Sequence, residues 1–328
     1  MRDALNLLFI TSNRVGDAIL SMGLLSALAA RHPKARITVA CGPLPAPLFA
    51  HHPSVVRVLP LVKRRHGLHW FDLWRQVAGR FWYMVVDLRN SLTGYALPRL
   101  WLIRLGRHRP DRHVVEEEAA LIGESVPTPP RLYLSEAQKE AAAAAVPVDR
   151  PVLALGPAAN WLGKQWPVER FIDLAQRLTA PGAALEGAAI LVTAAAHERD
   201  VAQPVLDAFA GQQTMGQQTI DFIGADLPST AAALERCRLY IGNDSGLMHM
   251  AAAVGTPTLG LFGPTDDSRY RPWGEQCDFV RAPQGWRELI AAVDSGAVPG
   301  DRLMDGVTVE MAQQAAERLL ARTETARG

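Results

Sequence analysis

Short apolar runs closed off by turn residues alternate along this chain with stretches whose apolar positions repeat at helical spacing. Residues 5–11 read as a buried strand. Residues 16–30 read as a helix whose inner face carries Ile19, Leu20, Met22, Leu24, Leu25 and Leu28. Further strands are predicted at 36–41, 55–59 and 81–88, with prolines 43, 45, 47 and 53 punctuating the segment between the second and third. After an Ala-rich helical stretch at 135–145 the pattern starts afresh. It gives strands at 152–155, 188–193, 220–223, 239–241, 256–262 and 277–281, and helices at 167–179, 198–210, 229–236, 247–254, 286–293 and 309–321. Strands alternating with helices predict parallel sheets. Residues 146–151, VPVDRP, read as the linker, giving domains 1–147 and 148–328, with the helix at about 309–321 a candidate to cross back to the first domain.

Composition narrows the classes. With 328 residues and 48% hydrophobic content, the chain is long enough for two cores. Its 34 basic and 33 acidic residues give a formal charge of +1, so no global field favours nucleic acid and an anion site has to be local. Cys41, Cys237 and Cys277 are far apart and form no C-x-x-C pair, which predicts free buried thiols rather than a disulfide framework or a zinc cluster. The apolar LNLLFI at the front is six residues long and runs into polar TSNR, the pattern of a first strand rather than a leader. No apolar run approaches the roughly 18 residues of a spanning helix, and the expected location is cytoplasmic.

Candidate chemistry sits at three strand-to-helix joints, where open parallel sheets expose functional groups. At the first, Ser12-Asn13-Arg14-Val15-Gly16-Asp17, the carboxylate of Asp17 falls in the first helical turn. That placement suits helix-start electrostatics worth roughly 0.3–1 kcal/mol, and equally a general base. At the second, residues 156–167, Lys164 is a point charge on a flexible stem, suited to a diphosphate and ordinarily just solvated. At the third, Gly242-Asn243-Asp244-Ser245-Gly246 reads as a turn opening a helix. Free amides and the dipole favour an anion there, Gly246 permits close approach, and Ser245 and His249 share a face. Asp244 or Ser245 as a simple N-cap, and His249 as a core histidine, are the competing readings. Two stretches, 62–82 and 99–113, mix arginines with aromatics. They read either as solvated helix faces or as a patch for an anionic lipid surface and acceptor.

The block DSGLMHMAAAVGTP followed by GLFGPTDDSRYRPWG resembles the signature of glycosyltransferase family 9, the ADP-heptose:lipopolysaccharide heptosyltransferases, approximately D-[ST]-G-x-x-H-x-A-A-A-x-G-x-P, then G-x-T and P-W. The Gly16-Asp17 pair opening a helix and the K-x-W-P at Lys164 match the same family. This resemblance implies a GT-B α/β fold, two Rossmann-like parallel-sheet domains facing across a cleft, and sugar transfer with inversion from an ADP-sugar. The implied donor is ADP-heptose and the acceptor a hydroxyl of a lipid-linked lipopolysaccharide inner-core glycan. It further implies Asp17 as the base and Lys164, Asp244, Ser245, Gly246, His249 and Thr265 as the donor site. Asn13, Arg14, Arg64 and Arg104 are the acceptor-side candidates, and the basic-aromatic stretches are candidates for peripheral contact with the inner membrane. Asp266-Asp267 is adjacent rather than spaced as D-x-D, so neither a metal nor a cofactor is expected. The alternatives are a family 9 transferase with another nucleotide-sugar donor, a non-catalytic nucleotide-sugar-binding module, and a nucleotide-sugar 2-epimerase. For the epimerase the carboxylates around the donor sugar are not found.

Overall fold

The computed structural model describes residues 5–106, 112–210 and 218–325. The chain divides into two compact units, Met1–Tyr133 and Leu134–Gly328. Each is built on one parallel sheet.

In the first unit the strands are β1 (Leu5–Ile10), β2 (Ala35–Cys41), β3 (Val55–Pro60), β4 (Trp82–Asp87) and β5 (Arg99–Arg104), in the order β3-β2-β1-β4-β5. All pairings are parallel. Its helices are α1 (Val15–Leu20), α2 (Met22–Arg31), α3 (Leu68–Val77) and α4 (Val114–Ala120). The single helix expected at 16–30 is broken at Ser21. The Ser21 hydroxyl donates to the Ala18 carbonyl of α1 at 2.8 Å and lies 2.8 Å from Thr11 Oγ1, which ties the junction of α1 and α2 to the end of β1. Ile10 of β1 is paired with Asp87 of β4, and Asp87 with Arg104 of β5, so three adjacent strands end together.

The 99–113 stretch needs correction. Arg99 and Arg104 lie on the edge strand β5, not on a helix, because Arg99–Arg104 pairs in parallel with β4. Arg107 and Arg109 lie outside the described residues. In 62–82, Trp82 is buried and Trp70 and Trp74 pack against the core, while Phe71 and Phe81 are exposed among the exposed Arg64, Arg65, Arg75 and Arg80. That stretch is therefore part core, part surface.

In the second unit the helix α5 (Glu136–Ala145) precedes β6 (Val152–Gly156), α6 (Val168–Thr179), β7 (Ala189–Ala194), α7 (Arg199–Ala210), β8 (Thr219–Ile223) and α8 (Leu227–Glu235). Then follow β9 (Leu239–Asn243), α9 (Gly246–Ala253), β10 (Thr258–Phe262), α10 (Asp267–Tyr270), β11 (Cys277–Arg281), α11 (Trp286–Asp294) and α12 (Val309–Thr325). The order is β11-β10-β9-β6-β7-β8, again all parallel. Strands buried on both faces explain why β6, β7 and β10 are buried throughout and mostly apolar rather than alternating.

Two expectations about domain limits change. The boundary falls at 133/134 rather than 147/148, since α5 packs on α8 and starts with a capping box. Ser135 Oγ accepts from the Gln138 amide at 3.2 Å, and Gln138 Oε1 accepts from the Ser135 amide at 2.8 Å. The terminal helix α12 buries Val309, Ala312, Ala315, Ala316, Leu319 and Leu320 in the core of its own unit. Among the described residues no helix is long and apolar enough to cross a membrane. Cys41 and Cys237 are buried and Cys277 is half-buried, all free, and burial pushes the Cys41 and Cys277 thiols up to about 12.

Candidate functional site

In both units the strand order reverses beside the first strand, between β1 and β4 in one and between β6 and β9 in the other. At such a switch point the loops leaving adjacent strands go opposite ways and open a crevice at the carboxyl edge. The candidates Asn13, Arg14 and Asp17 leave β1, whereas Lys164 leaves β6 and Asp244, Ser245 and Gly246 leave β9.

At the β1 end, Asp17 is the third residue of α1, half-buried, and its Oδ2 accepts from the Ser12 hydroxyl at 3.1 Å. Ser12 Oγ in turn accepts from the Arg14 amide at 3.1 Å, which holds the joint as a compact turn. Asn13 presses its backbone on Gly42, where a Cβ would come within 2.6 Å of Asn13 Cα, so β2's exit must carry a glycine. Arg14 is exposed at the N-cap position of α1.

Beside this joint lies a carboxylate that the sequence reading passed over. Asp87 ends β4 fully buried, accepting from the Ser91 hydroxyl at 2.8 Å and the Arg89 amide at 3.0 Å. Burial raises its pKa, against the opposing pull of those hydrogen bonds and of Arg104. Arg104, in register on β5, donates from Nη1 to the Tyr95 hydroxyl at 2.8 Å with its guanidinium 4.8 Å from that ring's centre. The signal for Asp87 was a lone acid closing the apolar run WYMVVD at the carboxyl end of a buried strand. Arg64 is not part of this group of strand ends. It follows the opposite edge strand, β3, and spends its charge on an exposed pair with Asp72 at 2.7 Å, worth little in water.

At the second switch point the loop after β6 is tied to the end of β9. Asn243, the last residue of β9, accepts from the Trp166 amide at 3.1 Å through Oδ1 and donates through Nδ2 to the Pro157 carbonyl at 2.7 Å. It was expected as turn chemistry; extension of β9 through Gly242 and Asn243 makes it the buried cross-link instead. Trp166 is anchored further by donation of its Nε1 to the Val307 carbonyl at 2.7 Å. A loop pinned this way places Lys164 with little freedom. Its Nζ meets Asp244 Oδ2 at 2.7 Å, the lysine side chain 24% and the aspartate 8% exposed. Asp244 thus holds the lysine's ammonium through one carboxylate oxygen.

Ser245 is the N-cap residue of α9, yet its side chain makes no capping bond, and no acidic residue occupies the first turn. The helix terminus therefore presents its positive dipole end without a side-chain cap or an acid of its own. His249, one turn on, is buried, and its amide reaches the Ser245 carbonyl at 3.5 Å. Thr265, in the loop after the neighbouring β10, has a buried hydroxyl with no hydrogen-bond partner among the described residues, as does Ser245. Asp266 is a cap, accepting from the Ser268 amide at 3.2 Å and hydroxyl at 2.6 Å. Among the described residues no three His, Cys, Asp or Glu side chains are gathered so as to hold a metal ion.

Each switch point therefore carries distinct chemistry: a half-exposed carboxylate in the first unit, and in the second a fixed lysine beside an open helix N-terminus. The model of the family described as glycosyltransferase family 9 (heptosyltransferase) matches residues 73–289. Lipooligosaccharide heptosyltransferase 2 of Haemophilus influenzae is 26% identical, with 97% of this chain and 100% of that protein covered. Lipopolysaccharide heptosyltransferase 2 of Salmonella typhimurium is 23% identical, covering 87% and 90%. Among solved structures, Escherichia coli ADP-heptose lipopolysaccharide heptosyltransferase II superposes with a TM-score of 0.75 at 22% identity, covering 98% of this chain and all of that one. A family 9 glycosyltransferase from Veillonella parvula gives 0.80 at 20% identity, covering 98% of both.

Proposed function

The chain belongs to glycosyltransferase family 9 and is a glycosyltransferase of the GT-B fold, and from that premise we propose that it moves heptose from ADP-heptose to a hydroxyl of a lipopolysaccharide inner-core glycan, with inversion. The observation that carries this reading is the Lys164–Asp244 pair beside an N-terminus of α9 that holds no acid of its own.

Glycosyl transfer breaks the bond between the sugar's anomeric carbon and the diphosphate while the acceptor oxygen bonds to that carbon and gives up its proton. Negative charge grows on the departing diphosphate. Lys164, the amides at Ser245 and Gly246, and His249 stabilise it; donors aimed at developing charge are often the largest catalytic contribution. Asp244 holds Lys164 in place without taking all its donors, since an ammonium has three. In the first unit Asp17 accepts the acceptor's proton, its carboxylate steadied by the Ser12 hydroxyl. Arg14, Asn13 and Arg104 are the acceptor-side residues in this reading. Arg64 is the weakest of that set, its charge being met by Asp72. The exposed Phe71 and Phe81 among Arg64, Arg65, Arg75 and Arg80 suit peripheral contact with an anionic leaflet, as a lipid-linked acceptor on the cytoplasmic face demands.

A thermal-shift screen of ADP-heptose, UDP-sugars, GDP-sugars and free nucleotides tests the donor. The expected result is an upward shift with ADP-heptose and a smaller one with ADP, growing with concentration as mass action requires. A shift with a UDP- or GDP-sugar alone overturns the heptose assignment and leaves the family standing.

A further inference from the structure

On β9 the side chains of Leu239, Ile241 and Asn243 serve one face and Tyr240 with Gly242 the other. Gly156 of β6 is paired with Gly242, and a Cβ on either glycine would overlap the Tyr240 hydroxyl. The two glycines are thus small because the tyrosine lies over them. The ring runs along the strand and delivers Oη to the carboxyl edge where β6 and β9 part.

Tyr240 is fully buried, and its hydroxyl has no hydrogen-bond partner among the described residues. Burial raises its pKa, and the nearby Ser245 hydroxyl acts against that rise. The Ser245 hydroxyl is close enough to act on the tyrosine, and it too has no hydrogen-bond partner among the described residues. A phenylalanine would fill the same space without a stranded donor. The hydroxyl therefore points to a hydrogen bond that is completed only when a ligand sits at a helix terminus already suited to an anion.

We propose that Tyr240 is a positioning residue of the donor site: with an anion at the start of α9, its hydroxyl donates to Ser245 Oγ, which turns its own proton toward the anion. No bond other than hydrogen bonds changes. This rests on the reading of α9 as the diphosphate-binding helix, and it extends the site to a residue inside the sheet.

The test compares the parent with Tyr240→Phe, Ser245→Ala and the double variant. Melting temperature without ligand, calorimetric affinity for ADP, UDP, GDP and inorganic diphosphate, and donor KM and kcat are measured. Tyr240→Phe is expected to melt at or above the parent temperature and to bind ADP roughly three- to tenfold more weakly. The turnover loss falls on donor KM rather than kcat. Because the tyrosine acts through the serine, the double variant binds no more weakly than Ser245→Ala alone. Unchanged ADP affinity in Tyr240→Phe, or losses that simply add, overturns the proposal. A lowered melting temperature with unchanged affinity makes Tyr240 a core residue only. A parent that binds none of the four probes defeats the reading of α9 and this inference with it, whereas a parent that binds them as well as Tyr240→Phe does defeats the tyrosine's role alone.

Discussion

The joints β1–α1 and β9–α9 occupy matching places in two sheets that reverse their order beside the first strand, yet their helix starts are filled differently. In α1 the first turn already contains an anion, the carboxylate of Asp17, so its dipole is answered from within. In α9 the first turn has no acid, the cap residue makes no capping bond, and a lysine stands alongside. A joint that carries its own anion is suited to take a proton; a joint that lacks one is suited to bind an anion from outside. In the proposed reading the same topology serves proton removal in one unit and diphosphate binding in the other.

The sharpest way to break this contrast is at Asp17. Asp17→Asn keeps the shape of the joint and removes the base, so kcat should fall roughly 10²- to 10⁴-fold. ADP affinity by calorimetry should stay within about twofold. A loss of ADP binding of the same order would show that the first joint is also an anion site.

Next in size is Lys164→Met. It removes a charge-assisted contact, and ADP affinity should fall roughly ten- to a hundredfold. It also strands the nearly buried Asp244, lowering unfolding free energy by about 3 kcal/mol in denaturant titrations. Adding Asp244→Asn should restore most of the stability and none of the affinity. Restored affinity would mean that Lys164 serves the fold only.

Gly242→Ala should cost about 1–3 kcal/mol, because its Cβ meets the Tyr240 hydroxyl. Gly79→Ala in the first unit, where a Cβ meets nothing within 4 Å, should change stability by less than about 0.5 kcal/mol in the same assay. Equal costs would remove Tyr240 as the reason for the glycine.

The smallest effect concerns Asp87. Its native pKa is raised by burial above the ordinary 3.8, so the unfolded chain releases this proton first. Stability from this group is present below 3.8 and is lost as pH rises through the native value. Asp87→Asn should flatten that part of the profile of denaturation midpoint against pH. An unchanged slope would assign it to other carboxylates.

The residues that bear chemistry were readable to different degrees. Asp17, Lys164 and Ser245 stand out because turn chemistry after a short apolar run marks a strand-to-helix joint wherever the sheet later places it. Asp87 and Tyr240 did not stand out. An acid closing an apolar strand, or a tyrosine within one, has the same local pattern whether it faces a crevice or a core. Asn243 was misjudged as turn because strand pairing with β6 and β10, not local propensity, carries β9 two residues further.

By itself the sequence determined the alternation of strands and helices, the duplication into two parallel-sheet halves and the joints where polar groups collect, since all three follow from local periodicity and turn chemistry. Only the tertiary structure decided that β5 is a strand, that α5 belongs with the second unit, that Asp244 holds Lys164, and that a tyrosine lies across Gly156 and Gly242. The reason is that each of these depends on partners distant in the chain, 17 residues between paired positions of β4 and β5, 80 between Lys164 and Asp244 and 86 between Gly156 and Gly242, and pairings over such spans are set by how sheet and helix faces bury one another, which no local window records.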